Sequence, residues 1–185
     1  MSTLNSQSSE TNEGETGDDD PSLGSLIKID NILNHPEFIP IIVKWTFEEW
    51  YTSYLDFKLD NLEKAIDEFK KNIQYDRLPI CYVAYIDNIP VGTIGMDYKD
   101  TPQSLDHLDK NIPWVIDVFV NKDFRKKGIA TFLIKYIIKK AKEMGFKSLY
   151  LWTTNQQNIY KKFGWVEIEK ITYLDELYSL MLLEF

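Results

Sequence analysis

Residues 115–133 read VIDVFVNKDFRKKGIATFL, and this stretch decides the fold. Its first part is apolar apart from Asp117, which is typical of a strand covered on both faces of a sheet. A polar, basic segment follows, and from Gly128 onward apolar residues recur at helical spacing. The stretch therefore predicts a central strand over residues 112–120, a basic turn, and a helix that is closed by Gly145.

The basic turn is suited to binding an anion. The first N–H groups of a helix have no intrahelical partners, and the positive end of the helix dipole lies there. Gly128 allows the backbone to approach a ligand closely, and Arg125, Lys126 and Lys127 add positive charge. The alternative is a solvated turn that binds nothing, because short glycine motifs recur by chance. From these residues alone both interpretations stay open.

Charge is distributed unevenly along the chain of 185 residues, whose net charge is −8. The first twenty residues contain six acidic groups and no Lys or Arg, and they have too few apolar side chains to form a core. We predict a disordered acidic tail over residues 1–22 and a single domain over residues 23–185. The domain is nearly neutral, so no nucleic-acid-binding surface is expected.

Reactive and targeting features are sparse. The single Cys81 and the distant His35 and His107 give neither a disulfide framework nor metal-ligand spacing. No apolar run approaches the about 20 residues of a membrane span, and the acidic N-terminus is unlike a signal or transit peptide. We predict a protein without metal or membrane contact in the cytoplasm, with the nucleus as the alternative. The sequence does not indicate an oligomeric state.

The remaining segments predict helices and strands in the order β-α-α-β-β-β-α-β-α-β-β. A first helix is expected over residues 36–54. Its aromatic segment WTFEEWYTSY, residues 45–54, favours core and lid packing over direct substrate contact. Asp60 is expected to cap a second, amphipathic helix over residues 61–73.

Two strand pairs complete the prediction. Asp87-Asn88 predicts the turn of an antiparallel hairpin, and Gly92 and Gly95 in its second strand predict a bulge or a close backbone approach. The last two strands are expected over residues 165–171 and 178–185, with the loop TYLDEL between them.

Three motifs together resemble the GNAT family of N-acetyltransferases. Residues 125–130, RKKGIA, match its signature [RQ]-x-x-G-x-[GA], and the apolar strand VIDVFV stands directly before them. Residues 159–165, IYKKFGW, resemble the later family motif Y-x-x-x-G-[FW] at the family's spacing. The resemblance covers about residues 24–185. It implies an α/β fold with a mixed, mostly antiparallel central sheet flanked by helices.

The resemblance implies acetyl-coenzyme A (acetyl-CoA) as the acetyl donor, without a metal. Backbone groups of the central strand would pair with the pantetheine arm, and amides at the start of the following helix would hold the pyrophosphate. Arg125 occupies the leading basic position of the signature. The cofactor-binding residues expected on this basis are Val118, Phe119, Val120, Arg125, Lys126, Lys127, Gly128, Ile129, Ala130 and Thr131.

The resemblance also implies direct acetyl transfer to a primary amine, which needs a proton acceptor and a proton donor. Tyr160 resembles the family tyrosine that donates to the coenzyme sulfur; the alternative is a tyrosine that only packs its helix on the sheet. Asp117 is the one charged group in the apolar strand, so it is either a base, acting directly or through water, or a hydrogen-bonded structural carboxylate. The rival bases are Glu48, Glu49, Asp97 and His107.

The acceptor stays open at this point. Residues 149–165 are similar to the corresponding region of actin N-terminal acetyltransferases, which act on acidic N-termini, and to uncharacterised bacterial members of the family. The expected substrate is a protein amine (an N-terminus or a lysine) or a small-molecule amine. The alternative function is an inactive acetyl-CoA-binding regulatory module, since a fold does not settle an activity.

Overall fold

A mixed sheet of seven strands organises the protein, here a computed structural model that describes residues 26–98, 105 and 107–185. The strand order is β1-β2-β3-β4-β5-β7-β6, and every neighbouring pair is antiparallel except β4 and β5. The mixed, mostly antiparallel sheet predicted from the sequence is thus confirmed. The predicted acidic tail lies outside the described residues. The strands are β1 Lys28–Asn31, β2 Ile80–Ile86, β3 Ile89–Asp97, β4 Trp114–Val120, β5 Ser148–Thr153, β6 Val166–Tyr173 and β7 Glu176–Glu184.

Within the described residues, five α-helices flank the sheet, together with short 3₁₀ turns at Ile32–Asn34, Pro36–Phe38 and Lys122–Phe124. The α-helices are α1 Ile39–Glu49, α2 Tyr51–Asp56, α3 Leu62–Asn72, α4 Ile129–Glu143 and α5 Gln157–Lys161. None of the helices in the described part of the chain is long and apolar enough to cross a membrane.

The first helix differs from its prediction. The chain leaves the helical conformation at Trp50, with φ −121° and ψ 39°, so the single helix expected over residues 36–54 is divided into a 3₁₀ turn, α1 and α2. The element order therefore contains one more helix before β2 than predicted. The cap of α3 was also wrongly predicted: Asn61 accepts a hydrogen bond from the Lys64 N–H at 3.0 Å, whereas Asp60 pairs with the Lys64 ammonium at 2.7 Å.

Both hairpin turns use two residues in the left-handed conformation. Asp87 and Asn88, with φ 48° and 63°, form the predicted turn between β2 and β3. Leu174 and Asp175, with φ 49° and 63°, join β6 to β7. The loop expected over residues 172–177 is therefore much shorter, because both strands continue into it and a two-residue turn of this kind matches the twist of the strands.

The core lies on both faces of the sheet. On one face α4 packs against the strands through residues such as Leu133 and Ile137, which are fully buried. On the other face α1 and α3 pack against alternate residues of β2, including Cys81 and Val83. The central strands are thus covered on both sides, as the continuous apolar run in β4 predicted.

Candidate active site

The parallel strands β4 and β5 separate soon after they meet. Their ladder consists of the single pair Trp114 and Tyr150, next to a hydrogen bond of 2.9 Å from the Tyr150 N–H to the Pro113 carbonyl. Beyond this point β4 pairs with β3 alone among the described strands. One edge of the central strand is therefore open, and a cavity of about 1990 Å³ extends along it.

A β-bulge interrupts β4 beside this cavity. Thr93 of β3 pairs with Phe119 and Gly95 pairs with Ile116, so Asp117 and Val118 together lie opposite a single residue of β3. Asp117 takes the left-handed conformation, with φ 52°. An added Cβ at Gly92 would lie 2.8 Å from the Phe119 carbonyl oxygen. The bulge and the close approach predicted from the glycines are both confirmed.

The bulge places the Asp117 side chain in the cavity wall. The residue is half-buried, and no hydrogen bond to its carboxylate is made within the described residues. Burial, and secondarily the charge of Asp97, raises the pKa of Asp117 to about 6. A carboxylate with this pKa is ionised at neutral pH and is a stronger proton acceptor than an exposed aspartate.

Tyr160 lies in α5 and lines the same cavity. Its ring packs edge-on against Trp165, with the ring centroids 5.8 Å apart. Its hydroxyl makes no hydrogen bond within the described residues. It is nevertheless not sealed from solvent, because among the described side chains only the Trp165 indole nitrogen is both sealed and without a partner. The hydroxyl of this cavity-lining residue is therefore accessible. Burial raises the pKa of Tyr160 to about 12, which keeps the phenol protonated at neutral pH.

The first turn of α4 forms another part of the cavity wall. Gly128 precedes the helix with φ 75°, a conformation that disfavours other residues, and no side chain caps the helix. The first intrahelical bond runs from the Phe132 N–H to the Gly128 carbonyl at 3.2 Å. The amides of Ile129, Ala130 and Thr131 precede that bond, and all three residues line the cavity.

The three basic side chains of the turn differ in their contacts. Arg125 and Lys126 line the cavity, and the Arg125 guanidinium lies over the Phe119 ring while its Nε donates to the Val120 carbonyl at 3.0 Å. Lys127 does not line the cavity, since its ammonium donates to the Asp123 carbonyl at 3.2 Å. The other predicted cofactor-binding residues, from Val118 to Val120 and from Gly128 to Thr131, all line it.

The alternative candidate bases differ in whether they line the cavity. Asp97 and Glu49 line the cavity together with Asp117. Glu48 does not; it is exposed and lies 3.7 Å from the Lys44 ammonium. His107 is also exposed and contacts Glu169 at 3.0 Å. The structure thus brings three of the five predicted carboxylate or histidine candidates into one cavity.

Sequence reasoning missed a second wall of the cavity. Aromatic and acidic side chains from α2, the end of β5 and the β6–β7 hairpin meet there, and they are Asp56, Trp152, Tyr173, Glu176 and Tyr178. The sequence contained no spacing signal for this group, because its members are up to 122 residues apart. Trp50 and Tyr54, from the aromatic segment expected to serve as core and lid, also line the cavity.

The family model of the acetyltransferase (GNAT) family matches residues 40–165, which include nearly all of α1, the central strand, the basic turn and Tyr160. This chain belongs to the GNAT family. The resemblance inferred from the motifs is therefore confirmed, and the match covers more than half of this GNAT protein. No curated protein matches it in sequence.

Solved structures share the fold of this GNAT protein. An aminoglycoside 6'-acetyltransferase type Ii is 18% identical, with a TM-score of 0.62 over 85% of this chain and 96% of that chain. A GNAT acetyltransferase from Streptococcus pneumoniae is 17% identical, with a TM-score of 0.61 over 85% and 98%. The Salmonella typhimurium protein yncA, solved with acetyl-CoA, is 11% identical, with a TM-score of 0.62 over 86% and 94%. At such identities the likeness concerns the fold alone.

Proposed function

We propose that this GNAT protein transfers the acetyl group of acetyl-CoA directly to a primary amine. The observation that carries the proposal is that one cavity joins four features: the open edge of β4, the uncapped first turn of α4, the Asp117 carboxylate and the Tyr160 hydroxyl. Together these features supply an anion site, a strand edge, a proton acceptor and a proton donor. Membership of the GNAT family supports the same reaction class.

The residues fit acetyl-CoA in two respects. The uncapped amides of residues 129–131, next to Gly128, suit the pyrophosphate, and Arg125 and Lys126 line the same part of the cavity. The unpaired edge of β4, around Val118, suits an extended pantetheine arm, which would add to the sheet as a strand does. Lys127 contributes through its backbone amide in this proposal, since its ammonium is held by the Asp123 carbonyl.

Acetyl-CoA supplies an activated acetyl group when it is bound. Asp117 is the proposed base: its carboxylate accepts a proton from the acceptor ammonium, directly or through water, and leaves a neutral nucleophilic amine. The new N–C bond forms as the C–S bond breaks, the Tyr160 hydroxyl donates its proton to the departing sulfur, and the phenolate recovers a proton from the acylated nitrogen, which leaves the amide and the free thiol. The pKa of about 6 leaves Asp117 ionised at neutral pH and able to accept a proton, and the pKa of about 12 leaves Tyr160 protonated and able to donate one.

A covalent route through cysteine is not favoured. Cys81 is the single cysteine of the chain and it lines the cavity. Burial raises the pKa of its thiol to about 12, and the sulfur lies 3.2 Å from the Thr93 hydroxyl. The thiolate, not the thiol, is the nucleophile in acyl transfer. We therefore propose direct transfer without an acyl-enzyme.

The test is acetyl transfer from radiolabelled acetyl-CoA to a panel of small amines and of peptides with different N-termini. Tyr160→Phe is expected to lower kcat by about 100-fold, in the range typical of a lost general acid, while acetyl-CoA binding measured by calorimetry changes little. Tyr136→Phe is the matched control, because Tyr136 lies in α4, packs against Tyr82 and does not line the cavity.

Two outcomes would contradict the proposal. If the protein binds acetyl-CoA and acetylates no member of the panel, the regulatory-module alternative takes its place. If acetyl transfer proceeds equally well with Tyr160→Phe and Tyr136→Phe, the reaction class stands but Tyr160 is not its proton donor.

A further inference from the structure

The cavity has a wall of aromatic rings that the reaction described above does not use. We call Trp152, Tyr173 and Tyr178, with Asp56 and Glu176, the aromatic wall. The Trp152 ring centroid lies 4.6 Å from that of Tyr178 and 5.3 Å from that of Tyr173. All three rings are partly exposed, and all line the cavity. Rings that are partly exposed at a cavity present a surface to whatever occupies it.

Two of the rings are hydrogen-bonded to carboxylates. The Tyr173 hydroxyl donates to Asp56 of α2, which joins the β6–β7 hairpin to the helical side of the cavity. The Tyr178 hydroxyl donates to Glu176 at 3.3 Å. Asp56 and Glu176 are exposed and line the cavity themselves. Each carboxylate is therefore kept beside a ring.

This combination attracts positive charge. The face of an aromatic ring carries negative electrostatic potential and binds cations, and the nearby carboxylates add to that potential. Among the described residues, the basic side chains that line the cavity are Arg125, Lys126 and Lys162, and none of them belongs to the aromatic wall. The cavity thus has its basic groups in the turn before α4 and after α5, and rings with carboxylates at the aromatic wall.

We infer that the aromatic wall binds a second positive charge of the acceptor, so that the preferred substrate is an amine carrying another cationic group. This inference rests on the proposed acetyl transfer and names its substrate class. An acidic N-terminus, one of the acceptors that the sequence left open, is disfavoured, because its carboxylates would meet Asp56 and Glu176. Small polyamines carry such a second cationic group, and so does a peptide amine with a basic residue beside it.

The first experiment compares 1,5-diaminopentane with 1-aminopentane, which have the same carbon chain and differ by one positive charge. With the wild-type protein, kcat/KM is expected to be about ten-fold higher for the diamine, a factor that corresponds to about 1.4 kcal/mol. The double variant Asp56→Asn/Glu176→Gln is expected to reduce this ratio to about two-fold or less, through loss of activity with the diamine alone. Calorimetric binding of both amines is measured in parallel.

Asp175→Asn is the matched control. It removes one negative charge from the same hairpin, one residue before Glu176, but Asp175 does not line the cavity, and asparagine tolerates its positive φ of 63°. The diamine preference is expected to persist in this variant. A pair of short peptides with lysine or glutamate after the free N-terminus distinguishes a peptide acceptor from a small polyamine.

The outcomes separate the two proposals. Equal kcat/KM for the diamine and the monoamine, or a ratio that the double variant leaves unchanged, would overturn the inference while acetyl transfer itself stands. If no amine is acetylated, the binding measurements distinguish the proposals. Tighter binding of the diamine than of the monoamine, lost in the double variant, would support cation binding by the aromatic wall and reject the acetyl-transfer reaction. Equal binding of the two amines in that case rejects both.

Discussion

Two walls of the same cavity are built in different ways. The donor wall, formed by the open edge of β4 and the first turn of α4, contains an unpaired strand edge and an uncapped helix N-terminus. The aromatic wall presents side chains from α2, β5 and the β6–β7 hairpin. The donor wall is continuous in sequence, from Val115 to Thr131, whereas Asp56 and Tyr173 of the aromatic wall are 117 residues apart.

The difference explains what each wall recognises in our proposals. Backbone amides at a helix N-terminus and the edge of a strand suit a constant ligand, because their geometry depends on the fold more than on side-chain identity. Side chains at the end of a hairpin and on a short helix can be substituted without changing the backbone of the sheet. They therefore suit recognition of an acceptor that differs from one enzyme to another. In our proposals the donor wall thus binds the same ligand in every reaction, and the aromatic wall selects the acceptor.

Substitution of Asp117 is expected to have the largest effect. It tests whether the residue that promotes acetyl transfer is distinct from those that select the acceptor. Asp117→Asn should lower kcat/KM by about 100-fold with both the diamine and the monoamine, because it removes the proposed base. In the wild type, kcat/KM should fall as the pH decreases through about 6, where Asp117 becomes protonated. A pH profile without an inflection near this value would assign the base to Glu49, Asp97 or water.

Asp117→Asn is also expected to change the free energy of unfolding. Because the folded pKa of Asp117 is raised from 3.8 to about 6, the folded state binds more protons than the unfolded state between these pH values. The wild type therefore loses stability as the pH rises through this window, and Asp117→Asn does not. The variant should be more stable by about 1–2 kcal/mol at pH 7.5, a difference that shrinks toward pH 4 in denaturant titrations.

A pair of glycine variants tests the donor wall alone, with an effect of intermediate size. Gly128 and Gly145 lie at the two ends of α4 with φ 75° and 86°, so Ala at either position should cost about 1–2 kcal/mol of stability. Only Gly128 lines the cavity, and an added Cβ at Gly145 would meet nothing within 4 Å. Gly128→Ala should therefore weaken acetyl-CoA binding by about ten-fold, whereas Gly145→Ala should not.

The diamine preference provides the sharper part of this test. It should be the same in both glycine variants, since the aromatic wall is unchanged. A change in acceptor preference with Gly128→Ala would mean that the two walls are not independent, and equal acetyl-CoA affinities for the two variants would remove the first turn of α4 from the donor site.

The smallest effect is expected for Cys81→Ala. The thiol is buried between the sheet and the helices, so its loss should cost about 1 kcal/mol of stability, measured by denaturant unfolding. Because the raised pKa leaves little thiolate, acetyl transfer with a saturating amine should change by less than about two-fold. Loss of transfer together with a labelled protein intermediate in the wild type would instead indicate an acyl-enzyme on Cys81.

Much of the donor wall was predictable because its signals are local. The apolar run of β4 predicted a strand covered on both faces, and Gly128 after basic residues predicted a helix N-terminus. Gly92 and Gly95 predicted the bulge. Local patterns of this kind record backbone conformation, which a few neighbouring residues largely determine.

Several local details were wrong for an equally physical reason. The helix expected over residues 36–54 is broken at Trp50, although no glycine or proline near that residue indicates a break. Asn61 rather than Asp60 caps α3, because an adjacent pair of good capping residues leaves the boundary ambiguous by one residue. The loop expected over residues 172–177 is a two-residue turn, since Leu174-Asp175 is not a common sequence for such a turn.

The sequence alone determined the family, the mixed sheet, the position of the basic turn before α4 and the candidates Asp117 and Tyr160, because short motifs and hydrophobic periodicity carry this information. Only the tertiary structure decided which rival bases share a cavity, that Lys127 points away from it, and that Asp56 meets Tyr173. These facts depend on how strands separate and on which distant side chains face one another. No spacing along a single chain encodes such contacts, since they arise from the packing of helices and hairpins on the sheet.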